Sequence, residues 1–270
     1  MKIIEKYIMS KWGDLARCED GIFINDNYIA VVDGATSKGK LNWDGKTSGF
    51  IAKETIIKAL ESLKSDCSAY EAFNIINDAL RDKYKEKLRI AENDISERLQ
   101  ASLVIYSIEK KQIWNLGDCK FIINNRLYNN EKKIDNILAE VRSIVVQMEL
   151  LKGKSAETML ENDIGREFIL PVLKEQGIFI NNDSEYGYNI IDGITVCDNR
   201  IDIIPVPDES MIILATDGYP ILKNTLIESE ESLKELLIND PLCIYENKST
   251  KGLKKGAISF DDRAYLRFKS

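Results

Sequence analysis

Histidine is absent from all 270 residues. That one absence removes Ser-His-Asp and Cys-His triads, imidazole general bases, HExxH zinc sites and phosphohistidine chemistry together. Proline is nearly as scarce, with five residues, so there is no Pro-rich linker; no repeat or low-complexity tract divides the chain either, and residues 1–270 read as a single domain. No apolar run approaches the roughly 20 residues of a membrane span. The amino terminus, MKIIEKYIMSKWGD, is too polar and interrupted for a secretory h-region, which leads to the expectation of a cytoplasmic protein. The five cysteines (Cys18, Cys67, Cys119, Cys197, Cys243) are scattered, odd in number and form no CxxC pair. They read as reduced thiols, not a disulfide frame or a zinc site. A net charge of −7 argues against nucleic acid and anionic membranes as general partners, since both repel an acidic surface.

Carboxylates are what the chain has in abundance. Chemistry must then use Asp and Glu, Lys, Arg, Tyr, Cys or a metal; with 44 acidic residues and no imidazole, hard oxygen-bound cations such as Mg²⁺, Mn²⁺ or Ca²⁺ suit it best. Short apolar runs at 22–24 and 28–32, separated by Asn25-Asp26-Asn27, predict a hairpin. Helical spacing runs from Gly45 to Leu63, from Ala69 to about Arg89, from Ile134 to Leu151 and from about Ser155 to Leu173. Strand character returns at 101–108, 113–116, 121–123, 194–196, 201–206, 211–215 and 264–268, with a further helix at 226–237. Strands in hairpin-like groups and helices in pairs predict antiparallel sheets covered by helices in one α+β domain, not a doubly wound parallel sheet.

Aspartates recur where apolar runs stop: Asp20, Asp33, Asp118, Asp217 and the pair Asp261-Asp262. Three of them adjoin glycine, as Asp33-Gly34, Gly117-Asp118 and Asp217-Gly218. A strand end fixes such a carboxylate rigidly, and the glycine allows a sharp turn that exposes a carbonyl oxygen. Each pair alone is an ordinary turn signal. Several strand ends converging would place carboxylates so close that a cation must neutralise them.

The order of these motifs resembles that of the metal-dependent (type 2C) serine/threonine protein phosphatases. The stretches that carry the resemblance are Arg17-Cys18-Glu19-Asp20, Val31-Val32-Asp33-Gly34-Ala35, Ala101-Ser102-Leu103-Val104 with Asn115-Leu116-Gly117-Asp118-Cys119-Lys120, Ile213-Leu214-Ala215-Thr216-Asp217-Gly218, and Ser259-Phe260-Asp261-Asp262-Arg263. The resemblance implies a four-layer αββα sandwich, two antiparallel sheets flanked by helix pairs, with two Mn²⁺ or Mg²⁺ ions at the site. By motif position Asp33 would bridge the ions, Glu19 and the Gly34 carbonyl would bind one, and Asp217 and Asp261 the other. Asp118 falls at the family's acidic position near a third, weaker metal. Asp20 would orient the attacking water, and Arg17 would bind the phosphate; its alternative is a surface arginine. The implied reaction is direct attack on phosphorus by a hydroxide bridging the two ions. The substrate would be phosphoserine or phosphothreonine in protein, or a small phosphate ester, and the enzyme a monomer. The alternative from another class is a pseudophosphatase serving as a regulatory binding module.

Several features depart from the family pattern. Ala35 stands where many relatives carry histidine, Arg17 is closer to Glu19-Asp20 than usual, Asp262 replaces an asparagine, and no family motif is found between about 125 and 190. Residues Gly34 to Leu41 nearly spell GxxxxGK after an apolar strand, but Leu41 replaces the Ser or Thr of a P-loop. Lys38 and Lys40 then either approach a substrate phosphate or are solvated loop lysines. The basic run Lys248–Lys255 reads as a solvated face, Cys18 and Cys119 as small buried thiols, and the tryptophans as core and edge residues.

Overall fold

The computed structural model describes residues 1–195 and 200–270. The chain begins with β1 (Lys2–Met9), followed by the hairpin β2 (Asp20–Ile24) and β3 (Tyr28–Ala35). Helices α1 (Ser48–Glu61), α2 (Ala69–Tyr84) and α3 (Leu88–Asn93) lead to β4 (Gln100–Ser107), β5 (Gln112–Leu116), β6 (Lys120–Ile123) and β7 (Arg126–Tyr128). Then come α4 (Lys133–Leu151), α5 (Ala156–Glu161), α6 (Ile164–Glu175), β8 (Asp202–Pro205), β9 (Met211–Ala215), α7 (Leu226–Asn239) and β10 (Arg263–Lys269).

Local chemistry sets the boundaries. In the first hairpin the Asn25 side-chain oxygen accepts the N–H groups of Asn27 (2.9 Å) and Tyr28 (2.7 Å), the Asx geometry that reverses a chain. Thr47 caps α1 through the Phe50 N–H, and Ser68 with Glu71 closes a capping box on α2. The periodic stretch from Ser155 to Leu173 is two helices: Asn162 leaves helical geometry, and Asp163 starts α6 by accepting the Arg166 N–H.

The strands form two antiparallel five-stranded sheets, ordered β1-β10-β9-β6-β7 and β2-β3-β4-β5-β8. They meet face to face through Ile29, Val31, Val104, Leu214, Leu266 and Phe268, all fully buried, and each such side chain stabilises the sandwich by about 1.5–3 kcal/mol. On the outer face of the second sheet, Ile56 and Leu60 of α1 and Phe73 and Ile76 of α2 pack against Val32, Leu103 and Trp114. On the outer face of the first sheet, Tyr219, Leu222 and Leu226 cover Ile122, Ile213 and Tyr265. There α7 is tied down by Glu230, which accepts Arg263 Nε (2.8 Å) and the Tyr219 hydroxyl (2.6 Å).

The layered α+β architecture is the expected one, with one distinction. Helices α4 and α6 do not double α7; they pack on each other through Ile134, Leu138, Ile169 and Leu173. Two strands lay outside the expectation, β1 and the three-residue β7. Ile194 lies in a bend, whereas Val196 and Cys197 lie outside the described residues.

Candidate active-site cleft

The β2–β3 register places Asp20 directly opposite Asp33, and the next pairing sets Asp33 opposite Ser102 on β4. The Gly34 N–H donates to the Glu19 carbonyl (3.2 Å), continuing the ladder past Asp20. Gly34 and Gly49, at the start of α1, touch through their backbones. A methyl on Gly49 would meet the Gly34 carbonyl at 2.5 Å and the Glu19 carboxylate at 2.9 Å, so these two oxygen donors are neighbours. From the other sheet Asp217 follows β9, and Asp261-Asp262 precede β10. The turn at 217–218 sits on the last of these: a Cβ on Gly218 would lie 1.9 Å from the Asp262 carbonyl. Glu19, Asp20, Asp33, Gly34, Asp118, Asp217 and Asp261 thus line one cleft of about 940 Å³, with Arg17 at its rim stacked on Trp12 at 4.9 Å.

The centre of the floor is electrostatically unsatisfied. Burial, above all, pushes the Asp20 carboxyl up; the Thr216 hydroxyl opposes this, and the charges of Asp262 and Asp217 add to it. One Asp20 oxygen has no hydrogen-bond partner. Burial likewise raises Asp33, helped by the charges of Asp217, Asp20 and Asp118. Carboxylates that raise one another in this way need a shared proton or a cation.

The edges are already neutralised. Asp118 meets Lys132 Nζ at 2.5 Å and accepts the Ser102 hydroxyl. Burial works against its ionisation, but Lys132 and Ser102 hold it below the ordinary carboxylate range. Asp261 has Lys11 Nζ on one oxygen at 2.7 Å and Lys251 Nζ on the other. Asp262 is a brace: its oxygens accept the Lys11 N–H (2.9 Å) and the Glu19 N–H (2.6 Å), binding the start of β2 to that of β10.

At 14% identity, the chain matches the catalytic domain of the serine/threonine protein phosphatase PstP in complex with two manganese ions, at a TM-score of 0.50 over 99% of this chain and 98% of that one. The chain has a serine/threonine phosphatase fold. PstP/Ppp of Mycobacterium tuberculosis matches at TM-score 0.49 and 14% identity, over 98% and 97% of the two chains. The PPM phosphatase MsPP of Mycobacterium smegmatis, in complex with cacodylate, gives 0.45 and 11%, over 99% and 98%. No protein-family model and no curated protein matches the sequence.

Within this phosphatase fold the donor chemistry suits a hard divalent cation at the centre, where Asp20, Asp33 and Asp217 repel one another and an oxygen stands unpartnered. Asp118 and Asp261 are paired with lysines instead, Asp118 with Lys132 and Asp261 with Lys11 and Lys251. As they stand, no three acidic or thiol side chains among the described residues close on a single point.

Four contributors to the cleft carried no motif. Lys132, just before α4, holds Asp118; Asp135 in the first turn of α4 has an oxygen without a partner and is raised by burial, against the pull of Lys132. Arg166 reaches the cleft from α6, and Lys251 comes from the basic loop. That loop is part of the wall, not a solvated face. Arg142 of α4, 1% exposed, pairs with Asp163 at 2.8 Å and donates to the Cys243 and Ser249 carbonyls, while Arg166 donates to the Thr250 carbonyl at 2.7 Å. Burying a guanidinium is costly, and the Asp163 pairing with the two carbonyls offsets that cost.

The P-loop look-alike is spent on the protein itself. The Lys40 and Leu41 N–H groups donate to the Glu97 carboxylate at 2.7 Å each, Gly39 donates to the Ser96 carbonyl at 2.8 Å, and the next helix begins only at Ser48. Cys18 and Cys119 are buried; burial and then Asp20 and Asp262 push the Cys18 thiol up to about 12, and burial and Asp33 raise Cys119. Both stay protonated, which makes them poor nucleophiles. Trp43 and Trp114 are core residues, and Trp12 supports Arg17. No described helix is long and apolar enough to cross a membrane.

Proposed function

We propose that this chain is a metal-dependent phosphatase that hydrolyses phosphate monoesters, with phosphoserine or phosphothreonine in protein as its substrate class. The observation that carries the reading is the convergence of Asp20, Asp33 and Asp217 from two sheets on one cleft, with a buried carboxylate oxygen left unpartnered. Support also comes from the phosphatase fold. Asp33, Asp217, Glu19 and the Gly34 carbonyl would hold two Mn²⁺ or Mg²⁺ ions. When bound, such ions neutralise phosphoryl oxygens and make water a nucleophile at neutral pH.

The chain's own groups do the rest. Arg17 offers a guanidinium whose fork matches two phosphate oxygens. Asp20, one of whose oxygens has no hydrogen-bond partner, accepts a proton or orients water. With alanine at position 35, no side chain there protonates the departing oxygen, and water supplies that proton. The reading takes residues 1–270 as one monomeric cytoplasmic catalytic unit. It predicts Mn²⁺- or Mg²⁺-dependent hydrolysis of p-nitrophenyl phosphate, abolished by EDTA; full activity in both Asp33→Asn and Asp217→Asn would overturn it.

One observation favours a second reading, a pseudophosphatase acting as a binding module: lysines cover Asp118 and both oxygens of Asp261. Calorimetric titration with Mn²⁺ separates the two. Absence of binding up to millimolar concentration would favour the module.

A further inference from the structure

We propose that the wall of the cleft formed by Arg166, Lys254 and Lys38 is a second anion site, which receives a second phosphate group on the same substrate. The hydrolytic half of this statement rests on the phosphatase reading; the anion site does not.

Three elements far apart in sequence bring these cations together: α6 supplies Arg166, the loop after β3 supplies Lys38, and the loop before β10 supplies Lys254. Among the described residues none of the three has a carboxylate as an ion-pair partner. Arg166 donates to the Thr250 carbonyl and Lys38 to the Thr36 carbonyl at 3.1 Å, whereas the Lys254 ammonium has no bond among the described residues. Of the nearby acids, Asp135 keeps one oxygen without a partner but forms no ion pair with the three cations, and the others are engaged elsewhere. Asp163 serves Arg142 and the N–H groups of Arg166 and Gly252, and Glu19 takes the Thr36 hydroxyl. Other lysines of the same loop are paired, Lys248 with Glu140 and Lys255 with Glu161. The wall cations are the ones left over.

The charge of Arg166 acts on both lysines. Partial desolvation within the cleft lowers both, though each stays solvent-exposed; Arg166 and Lys132 lower Lys38 further, and Arg166 and Lys11 lower Lys254. The charges of Glu19 and Asp135 pull the other way at Lys38, yet its net shift is downward, and an anion between the cations would offset the cost of holding like charges together. Lys251 pairs with Asp261 of the floor and comes from the same loop as Lys254, so floor and wall adjoin along that loop. A phosphate dianion matches the wall in kind: the guanidinium gives a planar fork, and the lysines give point charges.

The test has two arms. In the first, the EDTA-treated protein is titrated with inorganic phosphate and with two phosphopeptides, one singly and one doubly phosphorylated. Without metal the acidic floor repels phosphate, and comparison with the Arg166→Met protein separates the share of the wall from that of Arg17. Inorganic phosphate should bind, the doubly phosphorylated peptide should bind more tightly, and Arg166→Met should lose both effects. Lys254→Met, at an exposed side chain without a bond, should weaken them without risk to folding. In the second arm, kcat/KM with Mn²⁺ is compared for phosphoserine peptides with and without a second phosphoserine one to four residues away. At the best spacing the second phosphate should raise kcat/KM by about tenfold, the value of one charge-assisted contact, and Lys254→Met should reduce that gain.

Equal binding of the two peptides in the first arm, or a gain untouched by both substitutions, overturns the site. If p-nitrophenyl phosphate is turned over but no peptide preference exists, the wall fails and the phosphatase reading stands. If nothing is hydrolysed but the metal-free protein still prefers the doubly phosphorylated peptide, the reverse holds.

Discussion

The floor and the wall of the cleft carry opposite charge and were assembled in opposite ways. Asp20 and Asp33 face each other because five residues of β2 pair in register with β3, so their proximity follows from one hairpin. The wall cations Lys38, Arg166 and Lys254 come from three elements, two of which, α6 and the loop before β10, are tied to α4 by Arg142 and Asp163. A rigid sheet end thus fixes the chemistry, and a side-chain network around two helices governs what can approach it. That division predicts that floor substitutions change turnover, whereas wall substitutions change recognition and the stability of one subregion.

The sharpest way to break the comparison is at the floor. Asp33→Asn should lower kcat for p-nitrophenyl phosphate by about 10³-fold, roughly 4 kcal/mol of barrier, with circular dichroism unchanged. Next is the tie within the wall. Arg142→Met leaves Asp163 without its partner and should cost about 3 kcal/mol in urea unfolding, with hydrogen exchange rising first in α4, α6 and the loop before β10. Loss of stability spread evenly over both sheets would deny the wall its separate status.

A smaller effect separates floor from wall by pH. The folded-state pKa values of Asp20 and Asp33 are raised by burial and by neighbouring carboxylates. Below the unfolded value of about 4, both states are protonated and there is no penalty. Above it the fold retains protons that the unfolded chain has lost. Stability in EDTA should therefore fall as pH rises, by up to about 1.4 kcal/mol per pH unit for each retained proton. Thermal melts between pH 5 and pH 8 would show this, and Mn²⁺ should flatten the trend; a metal-free Tm that rises over that range would contradict it. The smallest effect belongs to the exposed pair Lys248–Glu140 at 2.7 Å. Lys248→Ala should cost under about 1 kcal/mol, which a double-mutant cycle with Glu140→Ala measures.

Legibility in the sequence follows the same division. Aspartates at strand ends can be read because a strand alternates with a period of two and stops at a glycine turn, and both signals are local. The floor was visible on those grounds, as were α1, α2 and most strands. Strand β1 was not, since its burial alternates only weakly along an edge where Lys2, Glu5 and Lys6 dilute the apolar pattern. The break between α5 and α6 was hidden because the apolar spacing continues across Asn162-Asp163. Lys132 and Arg166 have no local signature at all. Each is a charged residue beside a helix start, and what gives it a role is a partner or a neighbouring charge elsewhere in the fold.

The loop that imitates a nucleotide-binding motif has a further consequence. Glu97 is in effect its resident ligand, a carboxylate attached to the same chain and held against the Lys40 and Leu41 amides. A tethered group competes at an effective concentration that no diffusing metabolite matches. The loop is therefore closed to cellular ATP and GTP without any bulky side chain to block it. Glu97→Ala would open it, turning a self-satisfied turn into a set of unpaired amides that can bind an anion.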